Sequence, residues 1–122
     1  MKKQVLDVGN CSPDFASLNH FFTEHFDCEV TQAHGLEDAL AELRKKEFSL
    51  VTVNRKLDQD YSDGIEIIKV IKANEQLRSV PVMLITNFPE HQDAAEEIGA
   101  ERGFGKLELN DETAEKIAPL LA

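Results

Sequence analysis

The sequence predicts an α/β domain in which a parallel sheet is covered by helices on both faces. Short apolar runs with strand character alternate five times with segments of helical period. One of them, Phe48-Ser49-Leu50-Val51-Thr52-Val53, is nearly continuous in apolar character, as expected of a strand buried on both sides. Asn54, Thr86 and Lys106 follow the third, fourth and fifth runs, at the carboxyl edge where such sheets gather their ligand chemistry. Alternation of this kind implies parallel neighbours joined by right-handed crossovers.

Val5-Leu6-Asp7-Val8 reads as the first strand, closed by Gly9-Asn10. Ser12 then reads as an N-cap, with Pro13 at the first helical position and Asp14 in the first turn. Phe15, Leu18, Phe22 and Phe26 recur at helical spacing, which predicts a helix over 13–26. Cys28 to Ala33 alternates with period two and suits an exposed edge strand, and Leu36, Ala39, Leu40 and Leu43 form the next helical face. Leu50 to Val53 is the third strand. After a polar loop, Ile65, Ile67, Ile68, Val70 and Ile71 predict a heavily buried third helix. Pro81 to Thr86 is the fourth strand, with proline tolerated at its first residue. Pro89 to Ile98 is a polar helix, and Gly103-Phe104-Gly105 a short fifth strand. Ala114, Ile117, Ala118 and Leu121 make the last helix, whose end Pro119 should fray or kink.

The 122 residues suit a single domain, 1–122, without a separate output domain. A formal charge of −10, from 23 acids against 13 bases, argues against nucleic acid or an anionic membrane as direct partners. Cys11 and Cys28 are too few for a disulfide framework or a zinc site and read as reduced thiols of a cytoplasmic protein. No apolar stretch approaches the roughly 20 residues that span a bilayer, and the start shows no signal peptide.

Taken together, the order of elements and the strand-end residues resemble the CheY-like receiver domain of response regulators. The resemblance covers the whole chain and implies the three-layer (βα)5 flavodoxin-like fold with strand order 2-1-3-4-5. Matched residue by residue, Thr86 falls on the family's switch hydroxyl and Lys106 on its lysine, in Gly99-Ala100-Glu101-Arg102-Gly103-Phe104-Gly105-Lys106. Phe104 takes the place of the switch aromatic, and Asp63-Gly64 is similar to the pair that opens the third helix. The departures matter more. The family's acidic pair falls on Gly9-Asn10 and its phosphoacceptor aspartate on Asn54. Leu107 replaces the proline that follows the lysine, and the loop from Asn54 to Gly64 is longer than usual.

A neutral amide is a far poorer nucleophile than a carboxylate, and magnesium prefers hard, charged oxygen ligands. With glycine and two asparagines at the matched positions, no formal negative charge remains there, while Lys106 is expected to keep its charge without an acidic partner. Asp7 lies inside the first strand, where a lone carboxylate is costly to bury. A backbone hydrogen bond at the strand end is the favoured remedy, and pairing with Lys106 the other. Asp58, Asp60 and Asp63 lie in the long loop and are the candidates to rebuild an acidic site.

The remaining conspicuous residues have ordinary readings. His20, His25, His34 and His91 lack ligand spacing and read as surface residues. Gly9-Asn10-Cys11-Ser12 reads as a turn and helix cap rather than an anion-binding loop. Phe88 and Phe104 stand near the family's signalling face, either exposed for a protein contact or, for Phe104, packed inward over Thr86.

These observations predict a receiver that is not an enzyme and that binds signalling proteins, a histidine kinase or an effector, without phosphotransfer. The contact face implied by the resemblance is formed by the fourth helix, fifth strand and fifth helix. Receiver folds often pair through the same face, so a homodimer is an open arrangement. Asn54 is expected to hydrogen-bond with Thr86 or Lys106, and neither metal nor cofactor is expected. The alternative is a receiver phosphorylated on a non-standard aspartate, Asp58 or Asp60, in a two-component phosphorelay. A flavin carrier is disfavoured by the lack of tryptophan and the single tyrosine, Tyr61.

Overall fold

The computed structural model describes residues 2–121, so Met1 and Ala122 of the expected domain lie outside it. Ten elements alternate: β1 (Lys3–Val8), α1 (Ser12–His25), β2 (Cys28–Ala33), α2 (Leu36–Lys45), β3 (Leu50–Asn54), α3 (Gly64–Ala73), β4 (Val82–Ile85), α4 (Pro89–Glu97), β5 (Glu101–Phe104) and α5 (Asp111–Leu121). The strands pair in parallel in the order β2-β1-β3-β4-β5, which is the CheY-like α/β topology.

Strand alternation divides the interior into two cores. Leu6, Val8, Val51, Val53 and Leu84 point to one face and pack with Ala39 and Leu43 of α2, Ile67, Ile68 and Ile71 of α3, and Ala95 of α4. Val5, Leu50, Met83 and Ile85 point to the other, against Leu18, Phe21 and Phe22 of α1 and Ala114, Ile117 and Leu121 of α5. Asp7 and Thr52 share the parity of Val5 and Leu50 and pair in register across β1 and β3. The fold therefore delivers two polar side chains into the α1/α5 core.

Local details depart from expectation for identifiable reasons. Cys11, not Ser12, is the N-cap of α1, because the Phe15 N–H already donates to the Cys11 carbonyl at 2.8 Å. The buried stripe of α1 is Leu18, Phe21 and Phe22, leaving Phe15 and Phe26 half-buried. Strand β5 starts at Glu101, two residues before the expected position, and reaches β4 through an irregular register beside Gly103. Any Cβ on Gly103 would lie 2.3 Å from the Leu84 carbonyl oxygen, so glycine permits this close pairing. Helix α5 runs through Pro119 to Leu121, the last residue of the expected helical face. So late in the helix, proline removes only the hydrogen bond that the Glu115 carbonyl would accept.

The loop after β3 folds back on the β1 turn. Lys56 and Asp63 form an antiparallel bridge, and the Leu57 N–H donates to Ser62 at 2.9 Å. The Asp58 N–H donates to the Gly9 carbonyl at 3.0 Å, and the Leu57 side chain is buried. Gly9 adopts φ +83°, and a Cβ there would lie 2.4 Å from Leu57 Cδ2. Both the left-handed backbone and the contact exclude a side chain. Replacing Gly9 by alanine is predicted to lower stability by about 2 kcal/mol or more. A urea midpoint equal to wild type would show that the turn and Leu57 relax freely.

Candidate functional site at the carboxyl edge of the sheet

Asn54 is the last residue of β3 and is half-buried. Its Nδ2 donates to the Lys56 carbonyl at 2.6 Å and to the Gly9 carbonyl at 3.3 Å. Two carbonyl oxygens facing one terminal atom of the side chain require a donor there, which fixes the amide orientation. The expected bonds to Thr86 or Lys106 are not made, because the loop folded over Gly9 brings these carbonyls to the amide instead. Gly64 helps to hold the arrangement: its N–H donates to the Arg55 carbonyl at 2.8 Å, and a Cβ on it would strike the Asn54 carbonyl oxygen at 2.0 Å.

Thr86 follows β4 and is buried, its Oγ1 accepting the Phe88 N–H at 3.2 Å. Lys106 follows β5, and its Nζ donates to Asp14 Oδ2 of α1 at 2.7 Å. This corrects the expectation of a lysine without an acidic partner. Asp14 sits in the first turn of α1, one helical turn from the cap, and the β5–α5 connection brings Lys106 over it. The ammonium holds the Asp14 carboxyl below the usual carboxylate range, chiefly by this hydrogen bond. Asn54, Thr86 and Lys106 come together with Arg55, Lys56, Ile85, Asn87 and Phe88 around a cleft of about 230 Å³.

Asn10 turns away from that cleft. It is fully buried, and its Nδ2 donates to Asp7 Oδ1 at 2.8 Å. The Thr52 hydroxyl donates to the same oxygen at 2.8 Å. Asp7 is thus served by two side chains, neither the backbone nor Lys106 as expected from sequence. The matching strand parity of Asp7 and Thr52 was the available signal for this pair. Asp7 Oδ2 and Asn10 Oδ1 are buried without a hydrogen-bond partner. Burial pushes the Asp7 carboxyl up to about 6, against the opposing pull of the Thr52 and Asn10 hydrogen bonds and the Lys106 charge.

The loop acids are engaged locally. Asp58 lies 3.5 Å from His34, Asp60 accepts from the Ser62 N–H at 2.9 Å and hydroxyl at 2.6 Å, and Asp63 pairs with Lys56. None of them lines the cleft. The magnesium ion implied by the resemblance does not fit this donor set. The Gly9 and Lys56 carbonyls are taken by amide hydrogens, Asn10 is committed to Asp7, and the walls contribute basic groups but no carboxylate.

Of the two aromatic residues, Phe104 is buried against Phe21 and Phe22, with ring centroids 5.9 and 6.3 Å apart. Phe88 is about half exposed, and the Arg55 guanidinium lies 5.6 Å from its ring centroid. Phe88 borders a second groove of about 680 Å³ between α4, β5 and α5, lined also by Gln92, Phe104, Thr113, Lys116 and Ile117. Leu107, noted in the sequence only as a missing proline, is 86% exposed at its rim. His25 lies at the other end of α1 from Asp14, between the Phe21 carbonyl at 2.9 Å and Asp111 at 3.0 Å.

Asp7 yields a pH prediction with a definite sign. Its folded-state pKa lies above the unfolded value, so between about pH 4 and 6 the native state binds the extra proton and stability falls as pH rises. The shift from 3.8 to about 6 corresponds to a cost on the order of 3 kcal/mol above that window. Asp7→Asn keeps an oxygen for Thr52 and Asn10 and carries no charge. It is predicted to be more stable than wild type at pH 7.5, with the advantage shrinking towards pH 4. Urea unfolding at both pH values checks this; a variant less stable at pH 7.5 would mean the carboxylate is favourably bound.

The family model for the response regulator receiver domain matches residues 12–107. No curated protein matches the chain. Among solved structures, it is similar to the chemotaxis protein CheY4 of Vibrio cholerae, with 22% identity, a TM-score of 0.78 and full coverage of both chains. A putative response regulator from Chloroflexus aurantiacus J-10-fl superposes with a TM-score of 0.85 at 18% identity, over 99% of this chain and 98% of that one. NtrX from Brucella abortus shares 21% identity at a TM-score of 0.83, over 99% of this chain and 28% of NtrX. At such identities the structures establish the fold, and the family match establishes membership. The chain belongs to the response regulator receiver domain family, the receiver module of two-component signal transduction.

Proposed function

We propose that this receiver domain signals by protein–protein contact without being phosphorylated at the carboxyl edge of its sheet. The observation that carries this reading is the Asn54 amide, whose nitrogen is bonded to the Gly9 and Lys56 carbonyls. On the resemblance, Asn54 stands at the phosphoacceptor position. Attack on a phosphoryl donor needs an oxygen with an available, basic lone pair, and an amide is neutral and weakly nucleophilic. Gly9 has no side chain, and Asn10 faces Asp7 in the core, so the acidic pair that would gather a divalent cation is missing as well. The single buried acid nearby, Asp7, points into the α1/α5 core and is occupied by Thr52 and Asn10.

Partner binding is assigned to the groove between α4, β5 and α5. Exposed Phe88 and Leu107 supply apolar contact area, and Arg102 is tied back by Asp93 and Glu96 at 2.9 and 2.7 Å. An exposed apolar rim around a concave face suits a protein contact. The partner belongs to the class of histidine kinases or their effectors, and a second copy of the chain is a further occupant of the same face. Phe104 supports the groove from below, packed on Phe21 and Phe22.

The test is incubation with acetyl phosphate and Mg²⁺ followed by intact-mass analysis. The mass is expected to stay unchanged. Stoichiometric gain of one phosphoryl group, released by hydroxylamine, would overturn the reading and favour transfer to another aspartate such as Asp58 or Asp60.

A further inference from the structure

We infer that Asp7 and Asn10 form a buried proton-binding site, a cyclic acid–amide pair whose single proton fastens the turn after β1 to the core. Both residues are fully buried, and Asn10 Nδ2 donates to Asp7 Oδ1 at 2.8 Å. The same two side chains leave one oxygen each without a hydrogen-bond partner, Asp7 Oδ2 and Asn10 Oδ1. A carboxylic acid and a primary amide complement each other twice, the amide N–H to one acid oxygen and the acid O–H to the amide oxygen. The first of these bonds is made. A proton on Asp7 Oδ2 supplies the second and serves both orphaned oxygens at once. Asp7 Oδ1 already receives the Thr52 hydroxyl as well, at 2.8 Å, so Oδ2 is the oxygen left to carry the proton.

The surroundings favour the neutral acid. In register, Asp7 stands between Gln32 of β2 and Thr52 of β3, neither of which ionises. The faces of α1 and α5 that fill this core, among them Leu18, Phe22, Ala114 and Ile117, are apolar. The charges that act on Asp7 are Lys106 from the β5–α5 connection and Asp14 from α1. They are opposite in sign and bonded to each other at 2.7 Å. Burial outweighs the two hydrogen bonds and the Lys106 charge, and the carboxyl is pushed up to about 6.

The pair sits where the turn meets the following segments. Asn10 follows Gly9, whose carbonyl accepts the Asn54 amide and the Asp58 N–H. The Asn10 carbonyl accepts the Gln32 amide at 3.2 Å. With the proton in place, two bonds hold the Asn10 side chain. When the proton leaves to solvent, one bond remains and Asp7 Oδ2 becomes a negative acceptor with no donor. The folded pKa lies above the unfolded value, so the fastened form is favoured in acid and lost as pH rises through about 6. The turn is tightened by acid and loosened above neutrality, a response that needs neither a phosphoryl donor nor a metal. Asp7→Asn is a permanent mimic of the protonated form, because its NH₂ group can donate to Asn10 Oδ1 at any pH.

The test is NMR of the full chain from about pH 5.3 to 8.5. The Asp7 carboxyl ¹³C resonance is expected to titrate with a midpoint of about 6, and the Asn10 side-chain NH₂ signals to move with the same midpoint. In Asp7→Asn the Asn10 signals should keep their low-pH wild-type positions throughout. Histidine titration is common to both proteins, so the difference between them isolates Asp7. Thr52→Val, which removes a bond that favours the carboxylate, should raise the midpoint while Asn10 still follows it. Hydrogen exchange of the Asp58 N–H, corrected for its intrinsic rate, should be about fivefold less protected at pH 7.5 than at pH 5.3 in wild type, and equally protected in Asp7→Asn. Asn10 signals that ignore the Asp7 titration would overturn the inference, as would an Asp7 that stays ionised across the whole range. Equal exchange ratios in the two proteins would overturn the coupling to the turn.

Discussion

The Asn54 amide nitrogen, set between the carbonyl oxygens of Gly9 and Lys56, is the contact on which the rest of the site depends. It ties the end of β3 to the turn after β1 and to its own following loop. The same loop buries Leu57 against Gly9 and sends the Asp58 N–H to the Gly9 carbonyl. The two bonds to the Gly9 and Lys56 carbonyls require a hydrogen-bond donor at position 54. A carboxylate in that place would set oxygen against oxygen at a distance where the amide makes a short bond, and only a proton or a cation would relieve it. A neutral donor at position 54 is thus built into the backbone around it, with glycine at position 9 and a loop that closes over the turn.

Electrostatics at this edge follow the same logic. Lys106 pairs with Asp14 on α1, and Lys56 pairs with Asp63 within its own loop. The cations remain in the cleft while their counter-charges lie outside its walls. Asp7 is a separate case: its carboxyl lies inside the α1/α5 core, under hydrogen bonds from Thr52 and Asn10. Burial of a carboxyl with one oxygen unpartnered is costly, and the raised proton affinity of Asp7 is the expression of that cost. Asn10 serves this buried group rather than the cleft, which is why the turn after β1 contributes only its Gly9 carbonyl to Asn54.

Much of the fold was legible in the sequence because it rests on period. The alternation of strand and helix patterns fixed the class, and the long apolar run ending at Asn54 marked a central strand, where β3 is found. Strand order itself came through the family resemblance. The grouping of Asn54, Thr86 and Lys106 was legible too, since strand ends of a parallel sheet converge on one edge. What period cannot encode is contact between side chains from distant segments. The Lys106–Asp14 pair spans 92 positions and depends on the path of the β5–α5 connection. The Asn54 bonds depend on a loop whose shape follows from Leu57 burial and an unusual backbone at Tyr61, with φ 58°. The start of β5 was misplaced because Glu101 and Arg102 carry no strand signal of their own and are positioned by pairing with β4.

The most direct test of the account compares wild type with Asn54→Asp by urea unfolding at pH 7.5, in EDTA and in Mg²⁺ at matched ionic strength. The account predicts that in EDTA the variant loses about 1–3 kcal/mol, the cost of a half-buried acceptor facing acceptors. It also predicts that the wild type gains nothing specific from Mg²⁺. A variant as stable as wild type in EDTA, or a saturable stabilisation of the wild type by Mg²⁺, would contradict the claim that the site is built around a neutral donor.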